Sequence, residues 1–441
     1  MGCFTAGTYW LYISIVGFGQ APVWLAILLM GALVAVMASY LALLGAGFAW
    51  LSSRVRIATM AVGLPAGWVL LEWIRGWLLS GFGWLSLGYA HTDTWLAGFA
   101  PIGGVYLVSW LSASMAAAIV LLREIELRPR IFALVILLLP WPLGAALERL
   151  EWTYAAGDDV QVAIVQGAIP QDQKWLADNR DTTLRIYRDL TVEALGTPLV
   201  VWPEAALPEL ANRLVPFLES MGGLARERGS DLVMGLIRAE PSRLDEQGNP
   251  IVLNSLLAWS ESISWYDKHH LVPFGEFFPV PAFVRRWMRL MSLPYSDFTA
   301  GDAVQSPLRA GGLVLAASIC YEDAYPTAGH AAVRESTALV NVTNDAWFGR
   351  STARYQHLQI SRMRAIESRR FLLRAANDGV SAVIGPRGEL LARAPEYQSA
   401  VLRAVVQPRS GVPPYIAAGN VPILAVLFTA LLGVLWRARR R

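Results

Sequence analysis

Cysteine and charge are both scarce in this chain, and each scarcity closes off a class of function. Only Cys3 and Cys320 occur among 441 residues, one of them at the extreme N-terminus. A structural disulfide between them is not expected, and no Cys/His spacing resembles a metal site. Charged residues make up 16% of the chain, the net charge is +3, and the basic excess is local to the Arg-rich tail 437–441. That balance gives no reason to expect nucleic acid as a partner. Apolar residues, by contrast, reach 55%, too many for an ordinary soluble protein of this length. A membrane protein is the first expectation.

Apolar stretches of about the 20 residues that cross a bilayer occur at 23–51, 57–79, 95–122, 131–147 and 421–436. Four spans are therefore predicted before residue 150 and one at the end. The turns after the first and third spans are basic, with Arg54 and Arg56 in one and Arg123, Arg128 and Arg130 in the other, while 80–94 holds neither Lys nor Arg. By the positive-inside rule the basic turns and the basic tail are cytoplasmic, and the large segment between 147 and 421 lies outside. The same topology places residues 1–22 outside, where 7–18 (G-T-Y-W-L-Y-I-S-I-V-G-F) reads as the outer end of a further helix, so the N-terminus is expected to be shortened. Residues 1–3 do not form a lipoprotein signal, because no charged region and apolar run precede Cys3. Within the second span, Glu72 and Arg75 stand three apart on one helix and are expected to form a structural pair near the interface. The tryptophans near span ends, Trp68, Trp73, Trp77, Trp84 and Trp95, suit interface anchoring.

From residue 159 the composition becomes that of a soluble α/β domain. Strands are predicted at 160–165, 199–202, 232–236, 255–259, 313–319, 338–342, 381–384 and 401–406, and helices near 176–195, 210–228 and 352–376. This alternation implies a central sheet covered by helices. The chain thus divides into a transmembrane helical region (1–150), a catalytic domain (151–410) and a C-terminal transmembrane helix with a basic tail (411–441).

Residues 314–323 (V-L-A-A-S-I-C-Y-E-D) read as a buried strand that delivers a thiol to its C-terminal mouth. Alone, Cys320 could equally be a small buried hydrophobe. A catalytic thiol needs a neighbouring base or cation. Two further strand ends supply them: V-V-W-P-E ends in Glu204, and Y-D-K-H-H places Lys268 after another strand. A carboxylate can take the thiol proton, and an ammonium can stabilise an oxyanion on a carbonyl. Each has an ordinary surface-charge reading singly, but the three together make a coherent acyl-transfer site.

The ordered motifs W-P-E, Y-D-K and S-I-C-Y-E-D resemble the nitrilase superfamily, whose members use a Glu-Lys-Cys triad in an α-β-β-α sandwich. Further motifs, Q-G-A-I-P-Q-D-Q-K-W (166–175), L-V-P-F-G-E-F-F-P (271–279) and N-V-T-N-D-A-W-F-G (341–349), together with the spans, are similar to the apolipoprotein N-acyltransferase family. The resemblance implies an α-helical transmembrane bundle joined to a nitrilase-like sandwich. It also implies transfer of an acyl chain from a phospholipid, usually phosphatidylethanolamine, to the N-terminal amine of a diacylglyceryl-cysteine lipoprotein, in the bacterial inner membrane with the catalytic domain on the periplasmic face. Carried over by motif, Cys320 is the nucleophile, Glu204 the general base, Lys268 the oxyanion-stabilising cation and Glu276 a support for Lys268. Trp175, Tyr321 and Glu322 match residues needed for activity or substrate placement. The family's eight or so spans exceed those visible here.

Two consequences complete the expectation. One nucleophile serving two large substrates implies a ping-pong reaction through a thioester, with no metal or organic cofactor required. Residues 283–293 (F-V-R-R-W-M-R-L-M-S-L) mix aromatics with Arg285, Arg286 and Arg289, which suits an interfacial amphipathic arm acting as a lid for lipid. The rival readings are a membrane-tethered nitrilase-like amidase acting on a small amide, and a non-catalytic scaffold, which would have no reason to keep all three triad positions.

Overall fold

The computed structural model describes residues 1–123, 127–245, 248–277 and 298–440; the arm expected at 283–293 lies outside the described residues. Apolar helices come first. A helical path of 53 residues runs from Val23 to Arg75, and at 1.5 Å per residue it would extend about 80 Å, far more than the roughly 30 Å of a bilayer core. It folds back instead. Val55 leaves helical geometry (φ −141°, ψ 59°), a π-helical segment Thr59–Gly63 follows, and Leu44 of the first arm packs against the bare Cα of Gly67 in the second. The loop expected at 52–56 is therefore a single non-helical residue inside a tight hairpin, flanked by Arg54 and Arg56. Among the described residues, three more helices are long and apolar enough to cross a membrane, Trp95–Leu121, Leu127–Glu148 and Val421–Arg439.

The helix Ala100–Leu121 breaks at Gly103 and Gly104. Gly104 has φ +65°, and a β-carbon there would lie 2.3 Å from the ring of Tyr415, so only glycine fits.

The catalytic region is built on two six-stranded sheets. In chain order its strands are β1 (Tyr154–Ala155), β2 (Val160–Gln166), β3 (Leu199–Val201), β4 (Asp231–Leu244), β5 (Pro250–Trp259), β6 (Ile263–Asp267), β7 (Leu308–Ala310), β8 (Leu313–Ile319), β9 (Ala338–Thr343), β10 (Leu372–Ala376), β11 (Ala382–Ile384), β12 (Leu390–Arg393), β13 (Ala400–Val406) and β14 (Arg409–Ser410). One sheet has the order β13-β2-β3-β4-β5-β6 and the other β12-β11-β10-β9-β8-β7, with β1 and β14 paired apart. Alternation along each strand decides which face goes where. Val162, Ile164, Val201 and Val233 of the first sheet meet Leu315, Ile319, Val340 and Val342 of the second in a common interior. The intervening residues point outward: Ala163, Val165, Val200 and Met234 pack under the helices Arg180–Ala194 and Val215–Glu227. A fully buried Val or Leu side chain contributes about 1.5–3 kcal/mol, so this interior is the main stabilising mass of the domain.

On the far side the second sheet is covered by the helix Ala353–Ser368. The helix expected at 352–376 stops early. Arg369 takes the left-handed conformation (φ 52°), and the apolar run 372–376 enters the sheet as β10, parallel to β9, instead of continuing the helix. The residues Ile360, Met363 and Ile366 of this helix also pack with Val69, Leu70, Val105 and Tyr106 of the membrane helices. The helix is thus the layer between sandwich and membrane region. The N-terminal segment Gly2–Phe18 leans on its start, where Trp10 Nε1 donates to Gln356 Oε1 at 3.1 Å and the Thr352 amide donates to the Tyr9 hydroxyl at 3.2 Å.

Candidate active site

Three strands end at one place. Glu204 is the third residue after β3, Lys268 follows β6 directly, and Cys320 follows β8 directly. Gly235 on β4 lets the chain after β3 turn in, since a β-carbon there would lie 2.2 Å from the Pro203 carbonyl and 2.7 Å from the Glu204 Cα. Cys320 has φ +51°, a left-handed conformation that costs a non-glycine residue about 1–3 kcal/mol and that turns the thiol out of the strand end.

Lys268 is the hub, with only 1% of its surface exposed. Its Nζ donates to Glu276 Oε1 at 2.8 Å and to Glu204 Oε1 at 3.3 Å. Asn254 Nδ2 bridges the same two carboxylates, at 2.8 Å to Glu204 Oε1 and 3.0 Å to Glu276 Oε1. The remaining carboxylate oxygens are held by backbone: the Asn344 amide donates to Glu204 Oε2 at 2.9 Å, and the Val272 amide to Glu276 Oε2 at 2.8 Å. Burial by itself lowers the proton affinity of Lys268, but Glu276 and then Glu204 outweigh it and hold the ammonium above the ordinary lysine range. A buried charge is tolerated when it is paired in this way.

The half-buried thiol of Cys320 is pushed well above its ordinary value, first by burial and then by the Glu204 carboxylate, with Lys268 acting in the opposite direction. At neutral pH it rests as a thiol and needs a base at the moment of attack. Among the described carboxylates, Glu204 acts on it most strongly.

The other expected site residues take different places. Glu322 accepts hydrogen bonds from the amides of Ile319, His269 and His270 at 2.7, 2.8 and 3.1 Å and from the Tyr266 hydroxyl at 2.9 Å. Its four donors tie the nucleophile turn to the segment that carries Lys268, so it braces the site. Tyr321 points toward the membrane side, where its ring stacks on Trp84 (5.6 Å, 11°) and its hydroxyl donates to the Gly81 carbonyl at 2.9 Å. Trp175 has a half-exposed ring whose centroid lies 5.9 Å from Lys174 Nζ. Glu72 and Arg75 hold the loop that carries Trp84: Glu72 Oε1 accepts from the Leu87 amide at 3.0 Å and from Trp68 Nε1 at 2.8 Å, and Arg75 donates to the Trp84 carbonyl at 2.5 Å.

Sequence reasoning missed four contributors. Asn254 interrupts an apolar strand, V-L-N-S-L-L, and a buried amide there demands partners, which was the available signal. Asn344 and Gln171 lie within quoted motifs, and Asn344 Nδ2 donates to Gln171 Oε1 at 2.8 Å, buttressing the turn that binds Glu204. Lys174 is fully buried with no hydrogen-bond partner for its Nζ among the described residues, and burial lowers it to about 8 while Glu204 and Asp378 pull the other way.

A cavity of about 1310 Å³ opens at the residues flanking Lys268, walled among others by Trp77, Ser80, Tyr266, His270, Phe277 and Tyr325. Its wall stops short of Cys320, but it joins the membrane-side loop at Trp77–Ser80 to the Glu322 side of the site.

Known proteins resemble this chain along most of its length. The carbon-nitrogen hydrolase family matches residues 161–411, and the apolipoprotein N-acyltransferase N-terminal domain matches residues 1–118. Curated relatives named apolipoprotein N-acyltransferase include one from Azotobacter vinelandii, 41% identical over all of this chain and 85% of its own length. Others come from Pseudomonas putida, at 39% over 98% of this chain and 85% of its own, and from Methylococcus capsulatus, at 38% over 100% and 86%. Among solved structures, a Nesterenkonia amidase of the nitrilase superfamily aligns with a TM-score of 0.43 and 18% identity over 62% of this chain and 98% of its own.

Proposed function

The chain belongs to the apolipoprotein N-acyltransferase family, and from that premise we propose that Glu204, Lys268 and Cys320 perform the transfer through a thioester on Cys320. The protein is an acyltransferase that N-acylates apolipoproteins in a membrane, with phospholipid as donor. The observation that carries the residue assignment is the sharing of the Lys268 ammonium between Glu204 and Glu276 at the mouth of the strand that ends in Cys320.

In the first half-reaction Glu204 takes the Sγ proton as Cys320 attacks the donor's ester carbonyl. Lys268 stabilises the developing oxyanion, a contribution commonly on the order of 10²–10³ in rate for one well-placed donor. Collapse breaks the ester C–O bond, and the lysophospholipid alkoxide leaves with the proton returned by Glu204. In the second half the acceptor's free amine attacks the thioester carbonyl, gives its proton to Glu204, and the thiolate leaves and is reprotonated. Water is the competing acceptor, and an apolar, lipid-filled approach disfavours it.

Phosphatidylethanolamine is the proposed donor, a diacylglyceryl-cysteine N-terminus the acceptor, and the periplasmic face of the bacterial inner membrane the location. The last is supported by the basic segments. Leu51 and Val55, beside Arg54 and Arg56, pack with Val434 and Ala438, beside Arg437 and Arg439, at one end of the bundle, while the loop 80–94, which holds neither Lys nor Arg, meets the catalytic region at the other. The test is transfer from vesicles of phosphatidylethanolamine, or of phosphatidylglycerol alone, to a diacylglyceryl peptide with a free amine. The expected result is transfer by the unaltered protein, fastest from phosphatidylethanolamine, and none by Cys320→Ala. Transfer by Cys320→Ala would overturn the assignment.

A further inference from the structure

The carbonyl of Cys320, a residue in the left-handed conformation, is contacted by groups outside the triad. His357, on the buried helix Ala353–Ser368, lies directly behind the nucleophile turn with its ring fully buried. Its Nδ1 is 2.9 Å from Asp345 Oδ1, and its Nε2 is 3.0 Å from Asp323 Oδ1 and 3.2 Å from the Cys320 carbonyl oxygen. Arg374 on β10 closes the cluster, donating to Asp345 Oδ2 at 2.9 Å and to the Ser361 hydroxyl at 2.7 Å, and Ser361 in turn donates to Asp323. The second hold on the Cys320 carbonyl is Asn341 Nδ2 at 3.4 Å.

We propose that His357 is a positioning residue for the acyl transfer: as an imidazolium clamped between Asp323 and Asp345, it anchors the Cys320 carbonyl and so fixes the strained turn that aims the thiol at the acyl carbonyl. This rests on the reading of Cys320 as nucleophile. A doubly protonated ring can donate from both nitrogens, to Asp345 on one side and to Asp323 and Cys320 on the other. A neutral ring has one N–H and must release one side. The charged groups facing it are Asp323 from the nucleophile turn, Asp345 from the turn after β9 and Arg374 from β10; the Trp84 ring, 5.5 Å away, covers it from the membrane side. Burial and Arg374 lower its proton affinity, yet the two carboxylates prevail and raise it to about 9.

The sign follows. The imidazolium is present at neutral pH and is lost as pH rises through about 9, so thioester formation should fall along a limb there while the protein stays folded. The experiment is single-turnover thioester formation with phosphatidylethanolamine vesicles across pH 6–10, read by intact mass, with folding checked by thermal melting at each pH. His357→Gln, which keeps one donor but no charge, is expected to slow acylation about a hundredfold at neutral pH, the scale of a misplacement of about 1 Å. Its dependence on phospholipid concentration should be little changed and its limb near 9 absent. Asp323→Asn keeps the acceptor oxygen but removes a charge, and should move the limb toward neutral pH. Acylation by folded His357→Gln at the unaltered rate, or a profile of the unaltered protein flat through 9, would overturn the proposal. If His357→Gln fails to fold, the unaltered profile and Asp323→Asn decide it. Absence of any thioester at every pH would instead remove Cys320 from its role.

Discussion

The two helical layers of the sandwich solve opposite problems. Helices Arg180–Ala194 and Val215–Glu227 face water, and the first buries only Thr183, Tyr187, Thr191 and Ala194, one stripe at helical spacing. Helix Ala353–Ser368 lies between the second sheet and the membrane helices, and it is buried nearly all round although it carries Arg354, His357, Arg362, Arg364 and Glu367. A helix between two apolar bodies would be expected to be apolar all round. Here each charge finds a partner instead: Arg362 with Asp93, Arg364 with Glu367, Arg354 with Glu396, and His357 with Asp323 and Asp345. Glu367 Oε1 also accepts from the Val105 amide at 2.8 Å, capping the membrane helix just past its glycine break. In the outer layer charge keeps the helix soluble. In the inner one it registers the catalytic region against the membrane part.

The largest break in that comparison should come from Asp345→Ala, which removes one of the two carboxylates at His357 and the nearer of the two at Arg374, all of them buried. A loss of about 3–5 kcal/mol is expected, read as a fall in melting temperature in detergent or nanodiscs. Next is Glu367→Ala, which unpairs Arg364 and leaves the Val105 amide without its acceptor; about 3 kcal/mol is expected by the same measurement. Lys174→Met tests a buried cation without a hydrogen-bonded partner and should act in the other direction. With Lys174 depressed to about 8 from 10.5, the unfolded chain holds that proton while the folded one has lost it, so stability should rise with pH across that window. The methionine variant should abolish that rise and gain on the order of 2 kcal/mol at neutral pH. The smallest effect should be that of Arg188→Ala on the outer layer, whose exposed pair with Asp189 (52% and 61% exposed) is worth about 0–1 kcal/mol.

Legibility in the sequence followed the same division. The strands at 160–165, 313–319 and 401–406, as apolar runs, and the helices near 176–195 and 210–228, by their period, all stand close to where their patterns place them. Glu204, Lys268 and Cys320 could be picked out because each follows an apolar strand at a polar end. The inner helix was overrun because 369–376 (R-R-F-L-L-R-A-A) is as good a helix as a strand by composition, and its stop is an arginine in the left-handed region, without the glycine that would have signalled it. The hairpin at Val55 was read as a five-residue loop because its arginines look like loop residues, whereas only one residue leaves helical geometry. Asn254 and His357 escaped notice because their function is set by partners 22 to 50 and 12 to 37 residues away, which no local pattern encodes.

The most direct measurement is the intact mass of the purified protein after incubation with phosphatidylethanolamine vesicles, for the unaltered chain and for Cys320→Ala. The expected result is one acyl-sized gain on the unaltered chain alone, discharged when a diacylglyceryl peptide with a free amine is added. A folded, unaltered protein that gains no acyl mass, or a Cys320→Ala variant that gains the same mass, would contradict the account.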